Sequence, residues 1–545
     1  MPRFAALDVG SNALRLRIVE ASGPGAAPQL TLLPDRDPSG WREVVSLRAS
    51  VRLGAEVFVT GRIPPAALGQ ACAALKQFRE AMDTAKVDRY RATATSAVRE
   101  AENGAVLVER ARREAGVELE VIEGVEEARL IRLAVVRRLG LADRRALLVD
   151  VGGGSTEITY LDRGESAFSM SLPVGTVRLL ETYMRGEGAV EQDKQKLLLE
   201  SVDRAFVEIK PHAKKWSPEL VIATGGNAET LLDLCPYLGG YAGQPRAIDA
   251  GALPALVARL ATMTFAERRD TFGLRPDRAD TIIPASAIYA RAAAFAPIPA
   301  ILAPGVGLKE GILEELVAKH FDVWDTQGEE DSVVHACVRL GARYKFDEAH
   351  GRHVAALSAK IFDALAPLHG YGRRERLLLV AAAVLHDIGD FVRYDGHHKH
   401  SYYLIQHSDV MGLSPDERAV VANVARYHRK SPPDPSHPNF RDLDKDARAK
   451  VRALSAILRI GDALDREHLG KVRDIEAALD RGKRRLVLAL AGEEGRELEE
   501  WTVRAKSALL RDVFDIELSL IPAAASAIGA MDRGSQSRIS TRPKV

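Results

Sequence analysis

Residues 146–157 read Ala-Leu-Leu-Val-Asp-Val-Gly-Gly-Gly-Ser-Thr-Glu, and residues 4–12 read Phe-Ala-Ala-Leu-Asp-Val-Gly-Ser-Asn. Each stretch is a short apolar run that ends in an aspartate and a glycine turn. An apolar run of this length is typical of a buried strand, and glycine after it lets backbone N–H groups approach an anion. The repeat therefore predicts two turns that hold one phosphate chain from opposite sides.

The aspartates that end the two runs, Asp8 and Asp150, indicate a bound cation. Magnesium prefers carboxylate, water and phosphate oxygens as ligands. The three successive glycines of residues 152–154 would weaken a purely structural element, so we interpret their loop as functional. Together these features predict metal-assisted phosphoryl chemistry.

Composition limits the possibilities without choosing among them. A chain of 545 residues exceeds what one hydrophobic core usually supports, so we expect several domains. Its net charge is +1, so affinity for a polyanion requires local clustering of basic residues, and we expect no nucleic-acid partner. Its three cysteines have no paired spacing, which argues against a disulfide framework and a zinc knuckle. With no signal-peptide pattern or spanning apolar run, we predict a cytoplasmic protein without a membrane partner.

The two halves of the chain differ. Only one of the 14 histidines, His212, precedes residue 319, whereas all the glycine-turn motifs lie before residue 310. In the first half, strand-like runs alternate with helical patterns, which is typical of an α/β architecture. Further glycine turns follow at residues 224–230 and 304–307, and we interpret the last mainly as a tight turn. Glu126 and Glu127, taken alone, are compatible with a simple helix-dipole role.

The first half resembles the exopolyphosphatase and guanosine pentaphosphate phosphohydrolase family. The resemblance covers roughly the first 310 residues. Besides residues 4–12, it is carried in order by residues 93–103, 124–130, 150–157, 172–175 and 224–227. That family belongs to the actin, sugar-kinase and chaperone-ATPase superfamily. The resemblance implies two actin-like (ribonuclease H-like) α/β domains around a cleft, which we place at residues 1–130 and 131–315.

For the chemistry, the resemblance implies attack by water on the terminal phosphorus of a phosphoanhydride chain. The catalytic glutamate of the family falls on Glu127, where a carboxylate can orient the water and accept its proton. Asp150 and Glu157 match acids near the metal and the water, and Asp8 faces them from the other domain. Because these acids would repel a phosphate chain, we expect Mg2+ or Mn2+ between them.

The same resemblance implies a set of substrate-binding residues. Backbone N–H groups of the two turns would cradle the terminal phosphates, and Arg15 and Arg99 are the cations expected nearest to the substrate. The full set for the first half is Gly10, Ser11, Asn12, Arg15, Thr95, Ser96, Arg99, Gly152, Gly153, Gly154, Ser155, Gly225, Gly226 and Asn227.

The second half has the pattern of a helical bundle. Helical apolar spacing covers residues 349–366 and 376–385, and residues 414–417 form a capping box that opens a helix to about residue 430. Histidines and acids follow in an order that resembles the HD phosphohydrolase family. We therefore predict an all-α HD-type domain at residues 316–480. The implied metal ligands are His350, His386, Asp387 and Asp462, with His400 and His428 for a second metal.

The bundle has alternative interpretations. Imidazole with carboxylate suits manganese, iron or zinc, but a related domain can retain the fold without the chemistry. Basic residues near the histidines suggest a guide for a long phosphate chain, although a solvated basic face is the usual explanation. These residues are Arg373, Arg374, Arg376, Arg393, Lys399, Arg426, Arg429 and Lys430, of which Lys399, Arg426, Arg429 and Lys430 are our predicted substrate contacts.

The chain ends with a different pattern. Residues 484–490 and 515–520 alternate like strands around a helix that contains Trp501, which predicts a small α+β domain at residues 481–525. Residues 526–545 are rich in small, polar and basic types and are predicted to be disordered.

The sequence favours an exopolyphosphatase that removes orthophosphate stepwise from inorganic polyphosphate. The same chemistry on guanosine pentaphosphate is the nearest alternative, and one enzyme can do both. A nucleotide-binding sensor without hydrolysis is a second alternative, although it would not need an acid such as Glu127. A third places nucleotide phosphohydrolysis at His386 and Asp387. The family suggests a homodimer, while substrate preference and chain-length range stay open.

Overall fold

The computed structural model describes residues 1–23, 41–242, 247–321, 326–480 and 482–522. The chain forms two compact units, Met1–Asp325 and Thr326–Val545. The predicted disordered tail, residues 526–545, lies outside the described residues. Among the described residues, no helix is both long and apolar enough to cross a bilayer.

The first lobe of unit 1 is built on a five-stranded sheet with the strand order β3-β2-β1-β4-β5. Its strands are β1 (Arg3–Val9), β2 (Leu14–Glu20), β3 (Arg42–Ala49), β4 (Arg89–Ala94) and β5 (Leu119–Val121). Its helices are α1 (Gly54–Thr60), α2 (Pro65–Thr84), α3 (Ser96–Glu100), α4 (Gly104–Arg110), which continues as a π-helical turn (Ala111–Ala115), and α5 (Gly124–Leu139).

The second lobe of unit 1 is built on a four-stranded sheet with the order β8-β7-β6-β9, beside a small sheet with the order β10-β11-β12. Its strands are β6 (Arg145–Val151), β7 (Thr156–Asp162), β8 (Glu165–Leu172), β9 (Leu220–Thr224), β10 (Pro236–Tyr237), β11 (Ala247–Asp249) and β12 (Ala300–Ile301). Its helices are α6 (Thr176–Tyr183), α7 (Gln192–Ala205), a 3-10 turn (Phe206–Ile209), α8 (Lys210–Trp216), α9 (Ala228–Leu234), α10 (Leu253–Ala261), α11 (Phe265–Phe272), α12 (Pro276–Ala293) and α13 (Leu308–His320).

The two lobes repeat one local topology, as the sequence repeat predicts. Strand β1 pairs antiparallel with β2 and parallel with β4, and β6 pairs antiparallel with β7 and parallel with β9. Both turns close in the same way: Gly10 N donates to Ala13 O at 3.2 Å, and Gly152 N donates to Ser155 O at 3.0 Å. The apolar runs are almost entirely buried because helices cover both faces of each sheet.

Unit 1 extends past the predicted boundary at residue 315. Helix α13 runs to His320, and its buried residues Ile312, Leu313 and Val317 join a core cluster with the strands and α5. Because α13 packs into this core, unit 1 ends after α13 rather than at residue 315.

Unit 2 is a helical bundle joined to a three-stranded sheet with the order β13-β14-β15. Its helices are α14 (Thr326–Arg343), α15 (Glu348–His369), α16 (Arg373–Leu385), a 3-10 turn (Ile388–Phe391), α17 (His397–Gln406), α18 (Pro415–Arg426), α19 (Pro438–Arg441), α20 (Lys445–Ala463), α21 (Glu497–Lys506) and α22 (Ala508–Phe514). Its strands are β13 (Val472–Asp480), β14 (Arg485–Gly492) and β15 (Glu517–Pro522).

The sheet of unit 2 is not a separate small domain beginning at residue 481. Strand β13 begins at Val472, and residues of the sheet such as Ile475 and Leu488 share one hydrophobic core with the helices. The predicted capping box is present, because the Ser414 side chain accepts from Glu417 N, but α18 ends at Arg426 rather than near residue 430. The appendage therefore shares the core of the bundle.

Candidate functional site

A cleft of about 290 Å3 lies within unit 1, between its two lobes. Both predicted glycine turns line it, together with the turn after β9 and the loop before α13. The predicted residues that line it are Asp8, Gly10, Ser11, Asn12, Arg15, Thr95, Ser96, Glu127, Asp150, Gly152, Gly153, Ser155, Gly225, Gly226 and Asn227. The tertiary structure thus brings most of the predicted set into one cavity.

The two turns meet at Gly153. A Cβ atom on this residue would lie 2.8 Å from Ser11 Cβ, which is closer than real side chains approach. Ser11 Oγ in turn lies 2.9 Å from Ser96 Oγ, which ties the first turn to the start of α3. Glycine at position 153 is therefore required for the two lobes to approach, in addition to any role toward an anion.

Three buried carboxylates lie together at the cleft, of which Glu127 and Asp150 line it and Glu157 does not. Glu127 comes from the first turn of α5, Asp150 from the end of β6 and Glu157 from β7, and oxygens of all three lie within 4.8 Å of one another. Thr224 Oγ1 donates to Asp150 Oδ1 at 2.6 Å, and Ser171 Oγ donates to Glu157 Oε1 at 2.8 Å. Within the described part of the chain, Glu127 Oε2 and Glu157 Oε2 are buried without a hydrogen-bond partner. Such oxygens fit a hard divalent cation.

The structure separates Glu127 from its neighbour Glu126. Glu126 accepts from Arg129 Nε at 2.7 Å and from Arg91 Nη2 at 3.0 Å, and Arg129 also contacts Glu315 of α13 at 3.0 Å. Although burial opposes its charge, these guanidiniums lower the pKa of Glu126. Glu126 therefore fixes the start of α5, while Glu127 lines the cleft.

Asp8 lies in the same cleft but in a different environment. It is 7% exposed, and Arg15 Nη1 donates to its Oδ2 at 3.0 Å. Arg15 also lines the cleft, so this acid, predicted as a metal ligand, already has a cationic partner. It is not part of the three-carboxylate cluster in the described chain.

Several cations of the cleft were not identified from the sequence. They are Arg48, Arg275, Arg278 and Lys309. Arg278 is the most buried of them, at 7% exposed, and its guanidinium occupies the space where a Cβ of Gly226 would lie. Burial, with the neighbouring charge of Arg15, lowers the pKa of Arg278 to about 10. The sequence could have pointed to Arg278 through its position in the first turn of α12, because the beginnings of helices commonly border the cleft in α/β folds.

Three predictions for this region need correction. Arg99 does not line the cleft: its Nη1 donates to Ile122 O at 2.6 Å, which holds the chain entering α5. Gly154 lies outside the lining, and its carbonyl accepts from Arg178 Nε at 2.8 Å. The loop at residues 304–307 is more than a tight turn, because Gly305 and Gly307 line the cleft.

In unit 2, most of the predicted metal ligands also converge. His350, His386 and Asp462 form one buried group, and Asp387 lies between His386 and His428. His400 is half-buried and belongs to no metal-sized group among the described residues, whereas His397 Nε2 lies 3.2 Å from Asp387 Oδ1. The sequence predicted His400, but the histidine at the cluster is His397, three residues earlier. The reason is that α17 begins at His397, and the first turn of this helix faces the cluster.

The predicted basic residues of unit 2 lie in different environments, and Arg393 among them is exposed. Arg373, Arg374 and Arg376 pair with Glu330, Glu417 and Asp363 at 3.0, 2.6 and 2.8 Å. Lys399 is exposed, and the Arg426 guanidinium lies 5.6 Å from the centre of the Tyr402 ring. Arg429 and Lys430 line a cavity beside the histidines. Of the four predicted substrate contacts in unit 2, Arg429 and Lys430 therefore lie at this cavity.

Comparison with known proteins gives the family of this chain. A model of the Ppx/GppA phosphatase family matches residues 35–320, and a model of domain III of Ppx/GppA phosphatases matches residues 334–505. The chain belongs to the Ppx/GppA phosphatase family. The family assigned from the sequence motifs is thereby confirmed, as is the assignment to hydrolases that act on phosphoanhydride bonds.

Individual relatives of this Ppx/GppA phosphatase include Exopolyphosphatase 1 of Mycobacterium tuberculosis, 30% identical over 341 residues, which span 62% of this chain and 94% of that protein. The guanosine-5'-triphosphate,3'-diphosphate pyrophosphatase of Photobacterium profundum is 24% identical over 79% of this chain and 81% of that protein. A crystal structure of an exopolyphosphatase from Cytophaga hutchinsonii matches with a TM-score of 0.50 and 25% identity, over 58% of this chain and 98% of that one. The actin-like α/β fold is confirmed by this match.

The carboxylates of this phosphatase bind protons unusually tightly. Burial, and then the charges of Glu157 and Asp150, raise the pKa of Glu127 well above its ordinary value. Burial, with the like negative charge of Asp8, raises the pKa of Asp150 to about 6. Burial and Asp150 raise the pKa of Glu157 to about 7. A divalent cation would therefore replace protons when it binds here.

We expect the affinity of the cleft for Mg2+ to rise with pH between ~5 and ~8, because the ion must displace those protons. Isothermal titration calorimetry in buffers of different protonation enthalpy measures both the affinity and the protons released. The variant Glu157→Gln should release fewer protons than the wild type. An affinity that is constant over this pH range would contradict the assignment.

The raised pKa values also predict how the free energy of unfolding of the metal-free protein depends on pH. The carboxyls of Asp150 and Glu157 bind protons more tightly in the folded than in the unfolded chain, so their stabilising contribution is present at low pH. It is lost as the pH rises through about 6 for Asp150 and about 7 for Glu157. Thermal unfolding of metal-free protein should show this loss, and added Mg2+ should reverse it.

Proposed function

We propose that this Ppx/GppA phosphatase is an exopolyphosphatase that removes orthophosphate stepwise from the end of inorganic polyphosphate. The observation that carries the proposal is the position of Glu127, a buried carboxylate in a cleft lined by both glycine turns and several cations. A module that only binds nucleotides would not need a buried base with a free oxygen at this point. Exopolyphosphatase 1 of Mycobacterium tuberculosis, similar over 94% of its length, supports the same choice.

In the proposed reaction, the water oxygen bonds to the terminal phosphorus and the anhydride P–O bond breaks. Glu127 accepts a proton from the water, and the electron pair of the broken bond stays on the terminal oxygen of the shortened chain. The raised pKa of Glu127 makes it a stronger base once it is ionised. Orthophosphate leaves, and the shortened chain can advance for the next turnover.

The carboxylates also fit a divalent cation, which we infer to be Mg2+ or Mn2+. Asp150 and Glu157 would hold it, with Asp8 on the opposite side of the cleft. The cation supplies charge neutralisation that allows a polyanion to approach these acids. The backbones of Gly10, Ser11 and Asn12, and of Gly152 and Gly153, would then bind phosphate oxygens through N–H groups.

Arg278 is the cation that we assign to the substrate chain. Its Nε is buried without a hydrogen-bond partner in the described structure, with Asp277 Oδ2 3.7 Å away, and burial opposes its charge. A phosphate oxygen would supply the missing partner. Arg99 acts on the site in another way: its Nη1 holds the backbone at Ile122, and its charge lowers the pKa of Glu127 and Glu157.

The variant Arg278→Gln should raise KM for polyphosphate by about 10-fold or more, because a charge-assisted hydrogen bond contributes ~1.5–3 kcal/mol. Folding should be unaffected, since the native charge is poorly compensated. Steady-state kinetics with chains of defined length measures the change. The matched control is Arg275→Gln, which removes a more exposed cation of the same cleft and should change KM less. Equal effects of the two variants would argue against a special role for Arg278.

Guanosine pentaphosphate is the alternative substrate of the same site. The relative named guanosine-5'-triphosphate,3'-diphosphate pyrophosphatase, similar over 81% of its length, favours testing it. The experiment compares orthophosphate release from long polyphosphate and from guanosine pentaphosphate by the wild type and by Glu127→Gln. A higher kcat/KM for polyphosphate, lost in the variant, supports the proposal. Turnover of guanosine pentaphosphate alone would assign the alternative, and full activity of Glu127→Gln on both would reject this site.

A further inference from the structure

The glycine loop after β6 is held by the first turn of α6. Two of its carbonyl groups, those of Gly152 and Gly153, accept hydrogen bonds of 2.8–3.0 Å from backbone N–H groups of this turn. The donors are Thr176, Val177 and Arg178. The beginning of α6 thus fixes the direction of both carbonyls.

The third carbonyl of the loop is held by a side chain instead. Gly154 O accepts from Arg178 Nε at 2.8 Å. In a trans peptide the N–H group points opposite to the C=O group of the same unit, so the three carbonyl contacts also direct the N–H groups of residues 153–155. No backbone carbonyl among the described residues accepts from these three N–H groups. They are therefore the donors that the loop can offer to an anion.

Arg178 also reaches the first lobe. Its Nη2 donates to both carboxylate oxygens of Glu100, the last residue of α3, at 2.7 and 2.6 Å. Its guanidinium carbon lies 4.2 Å from the centre of the Phe58 ring, which belongs to α1. Since Arg178 itself lies on α6 of the second lobe, one guanidinium joins the glycine loop to two elements of the first lobe.

The glycine loop touches the same part of the first lobe directly. A Cβ atom on Gly154 would lie 2.2 Å from Phe58 Cζ and 2.6 Å from Ser96 Oγ, closer than real side chains approach. Ser96 begins α3 and lines the cleft. Glycine at position 154 therefore lets the Phe58 ring contact both the loop and the guanidinium of Arg178.

An ion pair that merely joins the lobes explains this arrangement poorly. The Glu100 side chain is 39% exposed, and exposed ion pairs add little to stability. Such a pair also does not require the same guanidinium to hold a backbone carbonyl through Nε. Because the planar guanidinium presents its donors in a fixed fork, its bonds to Glu100 and to Gly154 O constrain each other. The direction of the Gly154 carbonyl therefore depends on where Glu100 lies.

We propose that Arg178 is a positioning residue for the phosphate-binding loop, which directs the N–H groups of residues 153–155 toward a phosphoryl group only while Glu100 of the first lobe contacts its guanidinium. The proposal deepens the function proposed above and rests on it only for phosphate chemistry in the cleft. The glycine loop and the opposite turn at residues 10–12 then become competent together, because the first lobe carries both that turn and Glu100.

The consequence for the reaction lies in the transition state. Negative charge spreads over the oxygens of the transferred phosphoryl group, and N–H groups already directed at those oxygens stabilise it. A loop whose carbonyl turned toward the cleft would present a negative dipole to the same oxygens. Loss of Arg178 should therefore lower turnover more than substrate affinity, since the cations that line the cleft also bind the substrate.

The first test compares Arg178→Met and Arg178→Lys with the wild type. We expect kcat for phosphate release to fall about 10- to 100-fold in both, with KM changed by less than about threefold, because loss of one preorganised donor costs ~10²–10³ in kcat and here the donor is misdirected rather than removed. Lysine keeps the charge but cannot donate to Gly154 O and Glu100 from one plane. Activity near that of the wild type in Arg178→Lys would show that charge alone suffices and would overturn the proposal.

Glu100 provides a second test on a partly exposed side chain, where the substitution should not prevent folding. Glu100→Gln should lower kcat in the same direction, and the double variant with Arg178→Met should be no slower than Arg178→Met alone, because Glu100 acts through Arg178. Effects that multiply in the double variant would overturn the coupling. The matched control is Arg185→Met, which removes a guanidinium that pairs with Glu181 at 3.0 Å and does not line the cleft. It should change neither kcat nor KM.

Hydrogen exchange of the metal-free protein, measured by mass spectrometry, tests the loop without any substrate. Peptides that contain residues 152–156 and 176–178 should exchange several times faster in Arg178→Met and Glu100→Gln than in the wild type, because the bonds between the loop and α6 open more often. Arg185→Met should exchange like the wild type. Unchanged exchange in both Arg178→Met and Glu100→Gln would overturn the proposal even if activity fell.

The two kinds of measurement separate this proposal from the function proposed above. Phosphate release is measured with polyphosphate and with guanosine pentaphosphate, so the comparison of variants holds for either substrate. Turnover of neither substrate by the wild type would reject the proposed function, while hydrogen exchange would still decide whether Arg178 positions the loop. Thermal unfolding is measured in parallel, and a fall in kcat that matches only the unfolded fraction of Arg178→Met would overturn the positioning role.

Discussion

Replacing Glu127 with glutamine should lower kcat for phosphate release by about 10²–10⁴-fold, the usual contribution of a positioned general base. The amide keeps the size of the side chain but cannot accept a proton from water. The substitution also removes one of three mutually repelling carboxylates, so the variant should be at least as stable as the wild type. Phosphate release under saturating polyphosphate, with thermal unfolding measured in parallel, tests both effects.

The adjacent residue provides the matched control. Glu126→Gln removes an acid that pairs with Arg129 and Arg91 but does not line the cleft. We expect it to lower the free energy of unfolding by about 1–3 kcal/mol, because three charged hydrogen bonds are weakened, while most of kcat is retained. If Glu126→Gln lost activity as completely as Glu127→Gln, both effects would reflect distortion of α5 rather than loss of a base.

Replacing Asp150 with asparagine should produce the second large effect. The amide oxygen can still accept the hydrogen bond from Thr224 Oγ1, so the end of β6 should keep its conformation. The negative charge that would hold the cation is lost, and we expect the affinity for Mg2+ to fall at least ~100-fold. Phosphate release at low Mg2+ should fall accordingly, and a large excess of Mg2+ should restore part of it.

Loss of the negative charge in Asp150→Asn should also change the pH dependence of activity. The charge of Asp150 raises the pKa of Glu127 and Glu157, so Asp150→Asn should lower both and shift the acid limb of the pH profile to lower pH. Asp162→Asn, at the opposite end of β7 from the turn, is the control and should change neither property. An unchanged requirement for Mg2+ in Asp150→Asn would show that the cation is held elsewhere.

The sequence determined those parts of the cleft that depend on local chemistry. Both turns follow a short apolar run, and strand burial and glycine conformation are properties of a few consecutive residues. For this reason the turns after β1 and β6 were predicted together with Asp8 and Asp150. Glu157 was assigned from the resemblance to the family, and in the structure it pairs in register with Asp150 across β6 and β7.

For the histidines of unit 2, the order of residues in the sequence predicts only some of the side chains that face the cluster. His386 and Asp387 are consecutive, so their proximity was evident from the sequence. The choice between His397 and His400 depended on where α17 begins, and a shift of three residues changes which side chain faces the cluster. Asp390 and Asp465 each contact one of these histidines, but neither belongs to a motif that the sequence analysis identified.

The sequence by itself thus determined the repeated strand-turn units, the family and the acids that close each strand, because these are set by contiguous residues. The resemblance to the family already assigned Glu127 rather than Glu126. Only the tertiary structure decided that Arg278 is a buried cation of the cleft and that Lys506 reaches Asp462. The reason is physical: each of these depends on contacts between segments far apart in the chain. Burial and charge at such points are set by the packing of whole elements, which no local pattern encodes.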